Sequence, residues 1–168
     1  MFIMEDDADW DIRLLSQLTE FAKCVSSISG IRPSDAQHSP YGDEWDIHWP
    51  GHFHKAEAPV CTFGYAVSYR GAQKIIMGLG VKAGANLAID NGMACLCRDG
   101  YLNMKCYSVE PQLFQHHRPA GSVNKDSDIN VGYSDAIRER VVTDLIILSA
   151  RLSIEQLIMG SKTYIMQW

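Results

Sequence analysis

Phe2-Ile3-Met4-Glu5-Asp6-Asp7 opens the chain and governs how the rest of it is interpreted. Three apolar residues form a strand-like run that empties into three adjacent acids, with Asp9 close behind. Neighbouring carboxylates repel one another unless solvent or a cation neutralises them. A strand end fixes their directions, and period-two alternation turns Glu5 and Asp7 to one side. Oxygen ligands so arranged suit a hard divalent cation, Mg²⁺ or Mn²⁺, which can in turn bridge a diphosphate. The competing reading is a solvated acidic turn that caps the next helix.

Downstream, Asp9 or Asp11 can cap a helix in which Ile12, Leu15, Leu18, Phe21, Ala22 and Val25 recur at helical spacing, and Gly30 can end it. Residues 31–44, rich in Pro, Ser, Asp and Gly, read as a loop. Asp46-Ile47-His48-Trp49 is strand-like and is stopped by Pro50-Gly51. Thr62 to Val67 is β-prone, and Ser68 caps a predicted helix to Met77, broken by Gly78 and Gly80. Residues 92–97 suit one or two helical turns, and the alternation of Leu102, Met104 and Cys106 predicts a strand through Val109. Residues 115–133 read as a long polar loop. The stripe Ile137, Val141, Leu145, Leu148, Leu152 and Leu157 predicts a long last helix closed by Gly160. Strands and helices alternate, so the class is α/β or α+β.

Composition narrows the function. A chain of 168 residues, 46% apolar and 21% charged, is expected to form one globular domain. Its net charge of -5 argues against a protein that coats a nucleic-acid polymer, since phosphate binding wants a basic face. No apolar run is long enough to span a membrane, and the acidic N-terminus lacks the basic start of a secretory signal. Five scattered cysteines fit reduced thiols better than a disulfide framework, and Cys95-Leu96-Cys97 is too tight for the usual zinc spacing. Neither the Walker pattern nor the dinucleotide fingerprint is present, and Ser68 and the cysteines have no paired base nearby in sequence.

Two further places can carry chemistry. Asp90-Asn91 follows a short apolar run and precedes a helical turn, so Asp90 is either a general base or an N-cap. His116-His117 shares its loop with Arg118, Lys125, Asp126 and Asp128. A neutral imidazole there can complete a metal shell, and Arg118 or Lys125 can neutralise a departing phosphate; the alternative is an ordinary polar loop. His48, His52 and His54 look like packing and rim residues.

Taken in order, these pieces resemble glycosyltransferase family 25, which includes bacterial lipopolysaccharide galactosyltransferases and collagen galactosyltransferases. Ile3-Met4-Glu5-Asp6-Asp7 looks like its acidic metal motif, and Asp46 to His52 is similar to its segment after the first helix. Tyr65-Ala66-Val67-Ser68-Tyr69-Arg70-Gly71-Ala72-Gln73-Lys74 matches its most recognisable stretch. Asp90, Ser108-Val109-Glu110-Pro111-Gln112-Leu113 and Ser127-Asp128-Ile129 come in the family's order, over roughly residues 2–130. Cys97-Arg98-Asp99-Gly100 and Pro119-Ala120-Gly121 are most similar to the fungal branch.

The resemblance implies an α/β fold of GT-A type, a mixed sheet flanked by helices. It implies a divalent cation, Mn²⁺ or Mg²⁺, and transfer of a hexose, galactose first, from a UDP-sugar to a glycan or protein acceptor. It makes Asp6, Asp7 and His117 the expected metal ligands, Glu5, Asp6, Asp7 and Asp128 the donor-binding acids, and Asp90 the base on the acceptor side. In such folds the nucleoside-binding half precedes the acidic motif, whereas four residues precede Glu5 here. The expectation is therefore a single domain over residues 1–168 lacking that N-terminal half, with a sheet edge open to self-association. The rival expectation is a non-catalytic remnant acting as a binding module; a metal-dependent hydrolase using the same acids ranks below both. Eukaryotic relatives often work in the secretory pathway.

Overall fold

A computed structural model describes residues 1–50, 61–82, 87–109, 112–123 and 136–167. His52, His54, Lys125, Asp126 and Asp128 lie outside the described residues. In chain order the elements are β1 (Phe2–Met4), β2 (Ala8–Trp10), α1 (Leu14–Ile28), β3 (Ile47–Trp49), β4 (Gly64–Val67), α2 (Tyr69–Met77), α3 (Ile89–Arg98), β5 (Cys106–Ser108), β6 (Phe114–Arg118), β7 (Gly121–Ser122), β8 (Ile137–Arg138), β9 (Val142–Thr143) and α4 (Ile154–Ile158). The structure is mixed α/β, with a mixed sheet and helices. Among the described residues no helix is long and apolar enough to cross a membrane. The chain divides into two compact units, one of Met1–Glu5 and Arg13–Phe114, the other of Asp6–Ile12 and Gln115–Trp168.

The first unit is built on a four-stranded sheet in the order β1-β4-β3-β5. β4 runs antiparallel to both β1 and β3, and β3 runs parallel to β5 with Trp49 opposite Ser108. Helices cover both faces, so β3 is buried along its whole length. Alternation sends Ile47 and Trp49 into a core with Met93, Leu96 and Met104, while His48 meets Phe21 of α1 edge-on across the other face. Ser68 caps α2 as its sequence predicts, its hydroxyl accepting the Gly71 N–H at 2.9 Å. Gly71 is required by packing. A β-carbon there would stand 2.2 Å from the Asp46 carbonyl oxygen, so the helix rests directly on the end of β3. Asp46 is fully buried at that junction and accepts bonds from Lys74 Nζ at 2.6 Å, Arg70 Nε at 3.0 Å and the Lys105 N–H at 2.8 Å.

His48 is the unusual residue of that other face. Neither ring nitrogen has a hydrogen-bond partner among the described residues, and the ring lies within 4.2 Å of Trp45 and 4.6 Å of Tyr41, centroid to centroid. Burial lowers its pKa from 6.5 to about 3. The unfolded chain therefore takes up a proton near pH 6.5 that the folded chain refuses until about pH 3. The stability that this neutral ring contributes is complete above pH 6.5 and falls away as the pH drops toward 3, by about 2 kcal/mol between pH 7 and pH 5. His48→Phe keeps the aromatic packing and removes both unpartnered nitrogens, so it is expected to leave stability at pH 7 unchanged or raised and to abolish that loss. Urea unfolding of both proteins at pH 7 and pH 5 checks this; an equal acid loss in the variant would refute it.

Several expectations are corrected. α1 begins after Arg13 with no side-chain cap, because Asp9 and Asp11 belong to the second unit and are bonded there. α3 begins at Ile89, earlier than expected, and β5 is limited to three residues after a turn at Tyr101–Asn103. Cys97 and Cys106 form a disulfide, with Cα atoms 5.9 Å apart, where reduced thiols were expected. Packing α3 against the sheet brings the two together, and cysteine spacing alone does not report that.

The second unit departs furthest. Within residues 115–133 the described part contains β6 and β7 rather than loop alone. The long last helix is absent: β8 and β9 stand near its expected start, Leu145 takes a positive φ of 60°, and only Ile154–Ile158 is helical as α4. The backbone there finds distant partners instead. β9 pairs antiparallel with β6, His117 opposite Thr143, in a sheet of order β2-β6-β9. Ile12 N–H bonds Leu148 C=O at 2.9 Å, and Ala150 N–H bonds Trp10 C=O at 2.9 Å. Val141-Val142-Thr143 is β-branched, which favours this pairing over a helix.

Candidate functional site

The end of the acidic run, β2 and β6 lie together in the second unit. The His117 N–H donates to the Asp7 carbonyl at 2.7 Å, which sets β6 beside the run just before β2. His116 Nε2 then lies 3.7 Å from Asp7 Oδ2, both side chains partly exposed. Arg118 Nη2 donates to His116 Nδ1 at 2.6 Å. A guanidinium has no acceptor, so the neutral His116 ring carries its proton on Nε2, the nitrogen nearer Asp7.

Asp9, two residues on, is fully buried. Its Oδ2 accepts the hydroxyls of Thr143, at 2.7 Å, and Ser149. Its Oδ1 accepts the N–H groups of Trp10 at 2.8 Å and Arg151 at 3.1 Å. A buried carboxylate is tolerated when its lone pairs are occupied in this way. His117 Nδ1 lies 3.1 Å from Thr143 Oγ1 and 3.8 Å from Asp9 Oδ2. Burial lowers the His117 pKa, with Arg151 adding to the effect; Asp9 and Asp7 pull the other way without overcoming it. His117 is thus a neutral imidazole at neutral pH. Arg151 Nε bonds the Ala8 carbonyl at 2.7 Å and its Nη2 bonds the Asp6 carbonyl, which holds the backbone of the acidic turn.

The structure therefore joins Asp7 to His116 and Asp9 to His117. The Asp6 side chain is exposed beside them in sequence. Glu5 belongs to the first unit, where the Thr62 hydroxyl donates to it. Asp90 also belongs to the first unit: the first turn of α3 carries it, its Oδ2 accepts the Cys61 N–H at 3.0 Å, and its Oδ1 accepts the Asn91 N–H at 2.7 Å. Cys61 holds a positive φ of 73°, uncommon for a side-chain-bearing residue, and this carboxylate steadies it. Sequence reading missed Asp9 as a buried anchor, and with it Thr143, Ser149 and Arg151. Asp9 shares the period-two phase of Asp7, a usable signal. Thr143 and Ser149 carry none, because they are 134 and 140 residues away along the chain.

Asp7 and the His117 imidazole offer oxygen and nitrogen donors of the kind that suit Mn²⁺ and ions like it, whereas both His116 nitrogens are taken, Nδ1 by Arg118 and Nε2 by its proton. No protein-family model, curated protein or solved structure matches this chain.

Proposed function

We propose that this chain is a metal-dependent glycosyltransferase of the family 25 type, moving a hexose from a UDP-sugar to a glycan or protein acceptor. The observation that carries the reading is the Asp7 carboxylate at the end of the acidic run, with the neutral His117 set beside that run by the bond of its N–H to the Asp7 carbonyl at 2.7 Å. It joins the resemblance of Ile3 to Asp7, and of Tyr65 to Lys74, to that family. A divalent cation bound to such donors supplies positive charge against a leaving diphosphate. In this reading Asp7 provides carboxylate oxygen, with Asp6 supporting it, and His117 provides nitrogen. Arg151 keeps the turn in shape through the carbonyls of Asp6 and Ala8.

The test is calorimetric titration of UDP into the whole chain with and without Mn²⁺. Binding is expected only with the metal, and Asp7→Asn is expected to weaken it by more than about tenfold. Circular dichroism of the variant should match the parent, because Asp7 is half-exposed and anchors nothing in the core. UDP binding that ignores Mn²⁺ and Asp7, or no binding by folded protein, would overturn the reading and favour the non-catalytic binding module.

A further inference from the structure

We propose that Thr143 and Asp9 form a relay that fixes His117 as the Nδ1–H tautomer, leaving Nε2 as a lone-pair donor. The bonding leaves one consistent assignment of protons. Asp9 is an acceptor at both oxygens, and its Oδ2 takes the hydroxyl hydrogen of Thr143 at 2.7 Å. A threonine hydroxyl has one hydrogen, so Thr143 Oγ1 has none left for the imidazole. It must then accept at the 3.1 Å contact with His117, which puts the ring proton on Nδ1. Among the described residues nothing bonds Nε2.

The backbone makes this arrangement hard to escape. Thr143 stands opposite His117 in the β6–β9 register, so the hydroxyl cannot drift away from the ring. Asp9 and Thr143 are both fully buried, which shields the two bonds from exchange with solvent. Ser149 donates to the same Asp9 oxygen and Arg151 N–H to the other, so the carboxylate cannot turn away. Carboxylate partners that orient a histidine in this way commonly set which nitrogen is free to ligate or to take a proton. Thr143 is thus a positioning residue acting through His117. The adjacent ring is fixed the opposite way, since Arg118 holds its proton on Nε2. Of the two neighbouring histidines, His117 is the one prepared to give a lone pair. Its use by a cation rests on the function proposed above; the tautomer does not.

The experiment is long-range ¹H–¹⁵N NMR of the whole chain labelled at histidine, at a pH where the imidazoles are neutral and with no metal or nucleotide present. His117→Gln identifies the His117 signals by their disappearance. The expected result is a protonated Nδ1 and an unprotonated Nε2 in the parent. Thr143→Ser should retain that pattern, and Thr143→Val should lose it in favour of Nε2–H or a mixture. A parent His117 protonated on Nε2 would overturn the proposal even if no Thr143 variant folds, and so would a folded Thr143→Val protein with an unchanged pattern. Because neither cation nor nucleotide is in the sample, failure here is distinct from failure of UDP binding.

Discussion

Asp46→Ala is expected to destabilise the first unit by about 3 kcal/mol or more. The carboxylate is fully buried and holds three donors, Lys74 Nζ, Arg70 Nε and the Lys105 N–H. Removing it strands the Lys105 N–H and leaves a mostly buried ammonium with only the Asn103 carbonyl at 3.2 Å, and a buried charge that loses its counter-charge is worse than one never buried. Arg70 reaches solvent and adds little to the loss. The same residue ties β3 to α2 through its carbonyl, which accepts the Ser68 N–H at 3.0 Å, so the damage spreads to the helix start. Urea unfolding followed by tryptophan fluorescence, with Trp49 in the neighbouring core, measures the effect. A loss below about 1 kcal/mol would show that the network is dispensable. Acid separates this anchor from His48. Burial alone would raise the Asp46 pKa, but Lys74, the Lys105 N–H and Arg70 together hold it below its ordinary 3.8. A lowered carboxylate pKa contributes stability that is present above 3.8 and lost as the pH falls through the folded value. Asp46 therefore persists through mild acid, where the contribution of His48 is already going.

Asp9→Ala is expected to be as damaging in the second unit, by about 3 kcal/mol, since each buried donor left without an acceptor costs about 1–3 kcal/mol and the costs overlap. Thr143, Ser149 and the N–H of Arg151 all lose their partner at once. Asp9→Asn is expected to be milder. Its amide nitrogen can donate to the two hydroxyls, which also accept, while its oxygen keeps the N–H groups of Trp10 and Arg151. Hydrogen exchange is the direct measurement. The amides of Thr143 and Arg151 should lose protection in Asp9→Ala; unchanged protection would mean that Asp9 is not what holds these segments on β2.

The contrast between the two anchors shows how far local sequence reaches. Asp46 sits beside Ile47-His48-Trp49 and ahead of Ser68 to Lys74, in a stretch whose strand, cap and helix all emerge as expected. Its partners Arg70 and Lys74 lie four residues apart on one helix face, so the geometry is close to local. Asp9 looks like a helix cap, and its period-two phase with Asp7 is the local signal against that. Its true partners lie more than 130 residues away. The last helix fails for the same reason: its apolar stripe is genuine, but β6 and β2 offer backbone partners that a helix must forgo.

The amino-acid sequence by itself determined the α/β class, the strand that delivers the acidic run, the Ser68 cap and the packed strand at Ile47–Trp49, because each depends on residues within a turn or two of one another. It also marked Asp7 and the His116–His117 pair as chemically interesting. Only the tertiary structure decided that Asp7 meets His116 while Asp9 holds His117 through Thr143, that Cys97 closes on Cys106, and that the final segment abandons its helix. Those choices turn on contacts between residues far apart in the chain. Such contacts form only after the backbone has selected its strand partners, and beyond the β-branched run at Val141–Thr143 the local pattern of side chains carries little record of that selection.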